Sequence, residues 1–445
     1  MKNNKTVFIF GAGASKAAGL PMQNELLIKI FTHTEDDLDI YKLDQLDSFL
    51  GMENITITTF NYRYYEVFAI LRSQLAEFII SNFVPRSNKL RHALKPYSKK
   101  TYDALSSYLS DNNISLEDVF TILDKALLNK QCIFNYNLVE LQKIQYSLSN
   151  CIIYILEYFQ SKANQGVYSN ISDYFVNLRS KMHEQIEDPF SIITLNWDTL
   201  LDLSLYSLCK QKSTESEKLM PDLCFYNYDK DSDSPPSPKL KAEGYFNIKL
   251  LKLHGSINWL TCSNCNRIIT SYKNNIAFNC MHAVDEKGNK TALLEENCDF
   301  CEPNGLKHEL SSLIITPTFL KDFSNVHLSN VWFNAGIEIS EATKIVFVGY
   351  SLPDADFDLR YLLKKNMRSD VEIDVVLCNN DNPVIKTDLI NYLQETSDNT
   401  NFESLAKNII QPPNRYKSLF GNQKVNFYYD GAEEYFSNLK KETFA

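Results

Sequence analysis

No stretch of this 445-residue chain approaches the roughly 20 consecutive apolar residues that a membrane-spanning helix needs. Positive charge is in deficit as well. Lys and Arg number 45 against 55 Asp and Glu, and the net charge of −10 argues against unaided binding to nucleic acid or to an anionic membrane. It does not argue against a protein partner that binds nucleic acid. No internal repeat is visible. Ten cysteines are too sparse for a disulfide scaffold at this length, and four of them form two CxxC pairs, which in a non-secreted chain points to metal. The other six (Cys132, Cys151, Cys209, Cys224, Cys280, Cys378) read mostly as small buried hydrophobes. Lys2 and Lys5 ahead of an apolar run and Ala12-Gly13-Ala14 outline a secretion signal, but the run is too short and glycines interrupt it at once. The reading left is a cytoplasmic globular chain, which 44% hydrophobic and 22% charged residues fit, with length for two or three domains.

What is present begins at residues 6–21, TVFIFGAGASKAAGLP. The apolar run Val7–Phe10 breaks into Gly11-Ala12-Gly13-Ala14-Ser15, and a helical pattern follows. A strand feeding a glycine turn at a helix start offers backbone N–H groups and a positive dipole end to an anion such as a nucleotide phosphate. The bland reading is a tight strand–helix corner. Helical spacing then recurs at 62–83, 102–110, 116–129 and 136–160 with few strand signals between, which predicts a helical insertion. Its aromatics Tyr62, Tyr64, Tyr65 and Phe68 read as core. Strand character returns at 190–195, 246–253, 313–316, 344–348 and 372–377, around a charged, Ser/Pro-rich exposed loop at 229–239. The expected architecture is α/β: a Rossmann-like parallel sheet domain with a helical insertion and a small Cys₄ zinc module. The expected parts are a discontinuous sheet domain (1–60, 186–260, 303–445), the insertion (61–185) and the cysteine module (261–302).

Candidate chemistry sits at strand ends, where α/β sheets place ligand contacts. In Thr194-Leu-Asn-Trp-Asp198, Asn196 and Asp198 can hold a ribose or a water, or simply cap the following helix. In Leu253-His-Gly-Ser256, His254 has the side chain to act as a base near neutral pH, or is a structural histidine, and Gly255 and Ser256 suit close approach to a phosphate or sugar. Gly349 and Ser351 in the GYSLPD segment offer a second phosphate contact or an ordinary turn. Asn379 follows the next strand and can hold ribose hydroxyls or form an Asx turn. Cys262, Cys265, Cys298 and Cys301 match a closed tetrahedral Zn²⁺ site, structural because no coordination position is left open. The gap between the pairs holds Cys280 and His282, either of which can substitute for one ligand.

In this order, GAGAS with Gly19-Leu20-Pro21, TLNWD, LHGS, two CxxC pairs, GYS and the Asn379 turn resemble the sirtuins, specifically the bacterial sirtuin-like group of antiphage defence. The segment from Phe427 to Phe436 resembles the one whose backbone flanks adenine. The resemblance implies NAD as substrate and structural zinc. It places Gly11, Ala12, Gly13, Ala14, Ser15 and Pro21 at the phosphates and ribose, and Thr194, Asn196 and Asp198 at the nicotinamide ribose. It makes His254 the base beside Gly255 and Ser256, sets Gly349 and Ser351 on phosphate, and sets Asn379, Gly431 and Ala432 at the adenosine end. It also implies a homo-oligomer restrained by a partner encoded nearby, such as a helicase-like ATPase, with no direct contact to nucleic acid or membrane. Three departures weaken protein deacylation. Met22-Gln23-Asn24 replace the deacylases' phenylalanine–arginine pair, Leu195 replaces a glutamine, and residues 314–321 replace the peptide-clamping strand. The expected activity is therefore hydrolysis of NAD to nicotinamide and ADP-ribose, with Asn196, His254 and Asp198 catalytic. The alternatives are an NAD-dependent deacylase and a non-enzymatic NAD or ADP-ribose sensor. A dehydrogenase is disfavoured because the G-x-G-x-x-G spacing fails at Lys16.

Overall fold

The computed structural model describes residues 5–34, 57–92, 97–181, 189–214, 218–224, 228–229, 245–270, 282–284, 290–292, 298, 301, 308, 310–316, 318, 321, 323–378, 411–421 and 423–444. Strand β1 (Thr6–Phe10) leads into the five-residue helix α1 (Ala12–Lys16) and then α2 (Gln23–Thr32). Helices α3 (Ile57–Phe83), α4 (Lys99–Asp111), α5 (Leu116–Leu128), α6 (Leu138–Ser161) and α7 (Gly166–Lys181) follow. After them come β2 (Phe190–Thr194), α8 (Leu200–Lys212), β3 (Lys218–Asp222), β4 (Tyr228–Asp229), β5 (Tyr245–Lys252), β6 (Gly255–Cys262) and β7 (Ile268–Thr270). The ribbon β8 (His282–Val284) and β9 (Lys290–Ala292) precedes β10 (Leu310–Ile314), α9 (Val326–Glu341) and β11 (Lys344–Val348). The chain closes with α10 (Phe357–Asn366), β12 (Glu372–Val376), α11 (Gln411–Phe420), β13 (Val425–Tyr428) and α12 (Gly431–Phe444).

Seven parallel strands make the main sheet in the order β13-β12-β11-β1-β2-β5-β3. The central strands are short and mostly apolar because helices cover both faces. Side chains alternate across a strand. Phe8 and Phe10 therefore share one face and meet Phe175 of α7 and Phe436 of α12. Phe347, in register with Ile9, faces the other way onto Tyr416 and Phe420 of α11. The sheet reverses its direction of growth at β1, whose neighbours are β2 and β11.

A second core lies in the helical region. Leu26, Leu27, Ile30 and Phe31 of α2 pack there with Tyr65 and Phe68 of α3 and with α4, α5 and α6. Trp197, Ile257 and Leu260 belong to it too, so the helices also bury the small sheet. Of the helices expected in the 61–185 insertion, α7 packs instead on the main sheet through Val167, Tyr168, Ile171 and Phe175.

The run at 313–316, expected in the parallel sheet, lies elsewhere. Strand β10 pairs antiparallel with β6 (Leu310 opposite Cys262) in a four-stranded sheet, β10-β6-β7-β4. In this strand Ser311 is exposed and Ser312 half-buried, as suits an antiparallel strand with one face toward solvent. The expectation of mostly buried cysteines holds only for Cys151 and Cys209. Cys132, in the turn after α5, and Cys378, at the rim beyond β12, are exposed, and Cys224 is half-buried. Cys280 and most of the 229–239 loop lie outside the described residues.

Candidate functional site

A cleft of about 450 Å³ opens at the carboxyl ends of β1, β2, β5 and β11, beside the reversal of the sheet. It is lined by the turns after these strands, by Pro21 to Asn24, and on its far wall by Ser115, Leu116 and Glu117 at the start of α5. This is where an open α/β sheet leaves a crevice between diverging loops.

The two glycine turns clasp each other. Gly13 N donates to Gly349 O at 2.7 Å, Gly11 N to Val348 O at 3.0 Å, and Ala14 N to Gly11 O at 3.0 Å. Three of the amides expected to face a phosphate are therefore spent on the protein itself. A Cβ on Gly13 would lie 2.6 Å from Gly349 O, and one on Gly349 (φ +60°) would lie 2.1 Å from Ala14 N. Close backbone crossing is why these positions are glycine, over and above any ligand. Gly349→Ala is expected to lower unfolding stability by at least about 2 kcal/mol, seen as a reduced denaturation midpoint, because neither backbone can retreat from the other.

Four polar side chains interlock behind the β1 turn. Ser15 Oγ donates to Asp198 Oδ2 at 2.7 Å and pairs with the Tyr168 hydroxyl at 2.8 Å. Asn196 Nδ2 donates to Gly11 O at 3.1 Å and to Ser15 Oγ at 3.0 Å. Asp198 Oδ1 accepts the Leu200 N–H at 3.2 Å from one residue before the N-cap of α8, Thr199, while its other oxygen holds Ser15. Burial pushes the Asp198 carboxyl up, against the opposing pull of Lys252 and the Ser15 hydrogen bond. Lys252, fully buried, donates to Asp198 O at 2.7 Å and pairs with Asp202 at 2.8 Å, fixing the loop from below. These bonds use both amide hydrogens of Asn196 and leave its Oδ1 buried with no hydrogen-bond partner.

His254 stands at the two-residue junction where β5 of the main sheet becomes β6 of the small one. Its backbone carbonyl accepts Ile315 N at 2.8 Å, and its ring bonds to the Leu195 carbonyl. Nε2 is buried without a hydrogen-bond partner, and the nearest carboxylate oxygen, Asp356 Oδ1, is 3.6 Å away. Burial drives the imidazole down to about 4, Asp356 opposing and Lys321 assisting. The ring is thus neutral at pH 7, and with Nδ1–H on Leu195 its Nε2 is an acceptor.

A group that binds fewer protons folded than unfolded makes stability rise with pH. His254 is expected to contribute stability above pH 6.5 that drains away as pH falls toward about 4, on the order of 3 kcal/mol in all. Melting curves of the chain and of His254→Gln across pH 7 to 4.5 check this. Their difference should shrink as the medium is acidified.

Asp356, Lys321 and Tyr350 were not legible as site residues. Asp356 Oδ1 accepts Lys321 Nζ at 2.8 Å, and Oδ2 accepts the Tyr350 hydroxyl at 2.7 Å. The only hint was a second acid two positions after Asp354 in the segment following the β11 turn. Glu117 reaches the cleft from the helical region, where its carboxylate accepts Gln23 Nε2 at 2.7 Å, and no local pattern in the chain foretells that.

Of the expected contacts, Gly11, Ala12, Gly13, Ser15, Pro21, Asn196, Asp198, His254, Gly349 and Ser351 line the cleft. Others do not. Thr194 is buried beneath it, its Oγ1 accepting Asn196 N, and Ala14 is buried in the sheet core. Gly255 (φ +71°) packs so close to Leu313 O that a Cβ would sit 2.2 Å away, and Ser256 Oγ turns to Trp197 O. Gly431 N binds Leu377 O, and Ala432 is buried at the start of α12, off the cleft lining. Asn379 lies outside the described residues.

Cys262, Cys265, Cys298 and Cys301 bring their sulfurs within 4.8 Å of one another. The cross-pair separations, 3.7 Å for Cys262–Cys301 and 3.6 Å for Cys265–Cys298, match the edge of about 3.8 Å expected for a tetrahedron of thiolates at ~2.3 Å from zinc. Burial alone would raise the Cys262 thiol, but the N–H groups of Cys265 and Asn264 aimed at its sulfur bring it below its ordinary value. The donor set fits zinc in a closed, structural site. Four thiols complete it without His282, which lies in β8.

No family model matches this chain, and no curated protein does. Among solved structures, the chain is similar to one from work on the structural basis of sirtuin substrate affinity, at 12% identity over 98% of this chain and 93% of that one, with a TM-score of 0.34. It is similar to one from work on the mechanism and regulation of Sir2 enzymes, at 14% identity over 84% and 80%, TM-score 0.29. A Sir2 homologue in complex with NAD is also similar, at 14% identity over 93% and 90%, TM-score 0.29.

Proposed function

We propose that this chain hydrolyses NAD to nicotinamide and ADP-ribose in the cleft at the head of the parallel sheet. One observation carries the reading: two buried acceptors without hydrogen-bond partners, Asn196 Oδ1 and His254 Nε2, belong to the wall of the same cleft. Buried acceptors are seldom left unpaired. Hydroxyl groups of a ribose and of an attacking water are the donors that would satisfy them.

The leaving nicotinamide is already cationic and needs no acid. The bond from C1′ of the ribose to the ring nitrogen breaks with its electron pair going to nicotinamide, and positive charge develops on the sugar. Water adds its oxygen to C1′, its proton passing to His254 Nε2 and then to solvent. Asn196 orients the ribose or the water. Asp198, Asp356 and Glu117 surround the developing cation with carboxylates, and among the described lining residues there is no lysine or arginine, Lys252 and Lys321 standing behind the first two. Zinc, held by the four cysteines, would support β6 and takes no part in the reaction.

On this reading the chain acts as an NAD-depleting effector of bacterial antiphage defence. Assembly and a nearby-encoded partner, such as a helicase-like ATPase, restrain it. The test is to incubate purified full-length protein with NAD and to measure nicotinamide and ADP-ribose. Release in equal amounts supports hydrolysis. No release, alone and with the product of the neighbouring gene, overturns it.

A further inference from the structure

Resting on the hydrolase reading, we propose that Asp356 is the counter-ion of the His254 imidazolium that forms during turnover, a positioning residue held in check by Lys321. The carboxylate is buried, and three groups converge on it: Lys321 Nζ at 2.8 Å on Oδ1, the Tyr350 hydroxyl at 2.7 Å on Oδ2, and His254 Nε2 at 3.6 Å from Oδ1. The last separation is beyond a hydrogen bond. In the resting state Nε2 carries no proton, so carboxylate and imidazole are two acceptors facing each other with nothing to share.

When the attacking water gives up its proton, Nε2–H is created 3.6 Å from Oδ1, and a small approach converts the contact into a charge-assisted bond. The stabilisation is realised only once positive charge has moved to the imidazole, which is where a catalytic site gains most. Lys321 has the opposite effect. By offsetting the charge of Asp356 at rest, it keeps the carboxylate from raising the proton affinity of His254 before substrate arrives. Nearby residues of the same stretch are held in place: Ile315 N donates to His254 O, and Thr316 and Thr318 donate to Asp124 of α5, in the helical region, at 2.9 and 3.0 Å.

The charged and titratable groups around the imidazole are few. Asp356, Lys321 and Tyr350 come from the sheet side. Asp358, 3.8 Å from Lys321, lies behind them, and Glu117 of α5 is near enough to Asp356 for the two carboxylates to repel.

Histidine titration by nuclear magnetic resonance on the full chain labelled at its seven histidines, with His254→Ala identifying the signal, reads this pair without reference to any reaction. Lys321→Gln should move the His254 midpoint upward by about one pH unit or more, from about 4 toward 6.5, and Asp356→Asn should move it further down. If neither variant shifts the midpoint while both stay folded by circular dichroism, the pair does not exist and the proposal falls, whatever the activity. Nicotinamide release then tests the role in turnover. Asp356→Asn should lower kcat tenfold or more with KM nearly unchanged, and Asp356→Glu should recover part of it. Equal loss in kcat and KM, or no loss, overturns the positioning role. A shifted midpoint in a wild-type protein that releases no nicotinamide overturns the hydrolase reading and leaves the ion pair standing.

Discussion

Replacing His254 with alanine is expected to lower nicotinamide release by about 10²–10⁴-fold with little change in secondary structure, and Asn196→Ala should do the same. The two losses have different origins. His254 offers an unpaired acceptor on a ring held in place by Leu195, so its removal deletes the proton acceptor and, at neutral pH, some stability as well. Asn196 also bridges Gly11 O and Ser15 Oγ, so its alanine variant loosens the β1 turn and should lower the melting temperature as well. Because burial places the imidazole at about 4, kcat/KM should stay level from pH 8 down to about 5 and fall only below that. A single step near 6.5 would mean that His254 is solvated as the substrate meets it. Full activity in both variants would remove this cleft from consideration.

Removing zinc is expected to have the largest effect on stability. Metal binding to a four-thiolate module contributes on the order of 10 kcal/mol, comparable to the whole folding free energy of a domain. Cys265→Ser or Cys301→Ser, or prolonged chelation, should abolish metal retention measured by elemental analysis and unfold the small sheet. Activity should go with it, because β6 runs without interruption from Gly255, the residue after His254, to the ligand Cys262. A demetallated protein that keeps both its near-ultraviolet dichroism and its nicotinamide release would show the module to be independent of the cleft.

The parallel strands were readable because burial on both faces leaves an apolar run, as in Ile345–Val348, and the long helices because their apolar stripes are regular. Which surface a stripe meets was not readable. Helix α7 carries the same kind of pattern as α6 yet packs on the other core. Asn196 and His254 could be singled out because each follows a strand directly. Lys321, Asp356 and Glu117 could not, since each gains its place from a partner far along the chain, 35 residues away for Lys321 and Asp356 and 94 for Glu117 and Gln23. Gly255 and Ser256 lie off the cleft lining, and a glycine kink for sheet packing has the same local look as one for a ligand.

The central strand precedes both of its neighbours by a long stretch of chain. Thr6 pairs with Phe190 on one side and with Lys344 on the other, so β1 waits for most of the polypeptide before both edges are satisfied. At about 5–20 residues per second of synthesis, that delay runs to tens of seconds. Contacts of such long range also fold slowly, since chain entropy must be spent before they form. A ribosome-bound chain therefore holds no cleft until β11 has emerged. Whatever chemistry the cleft performs is out of reach through most of the chain's own synthesis, and fragments ending before that strand lack the site.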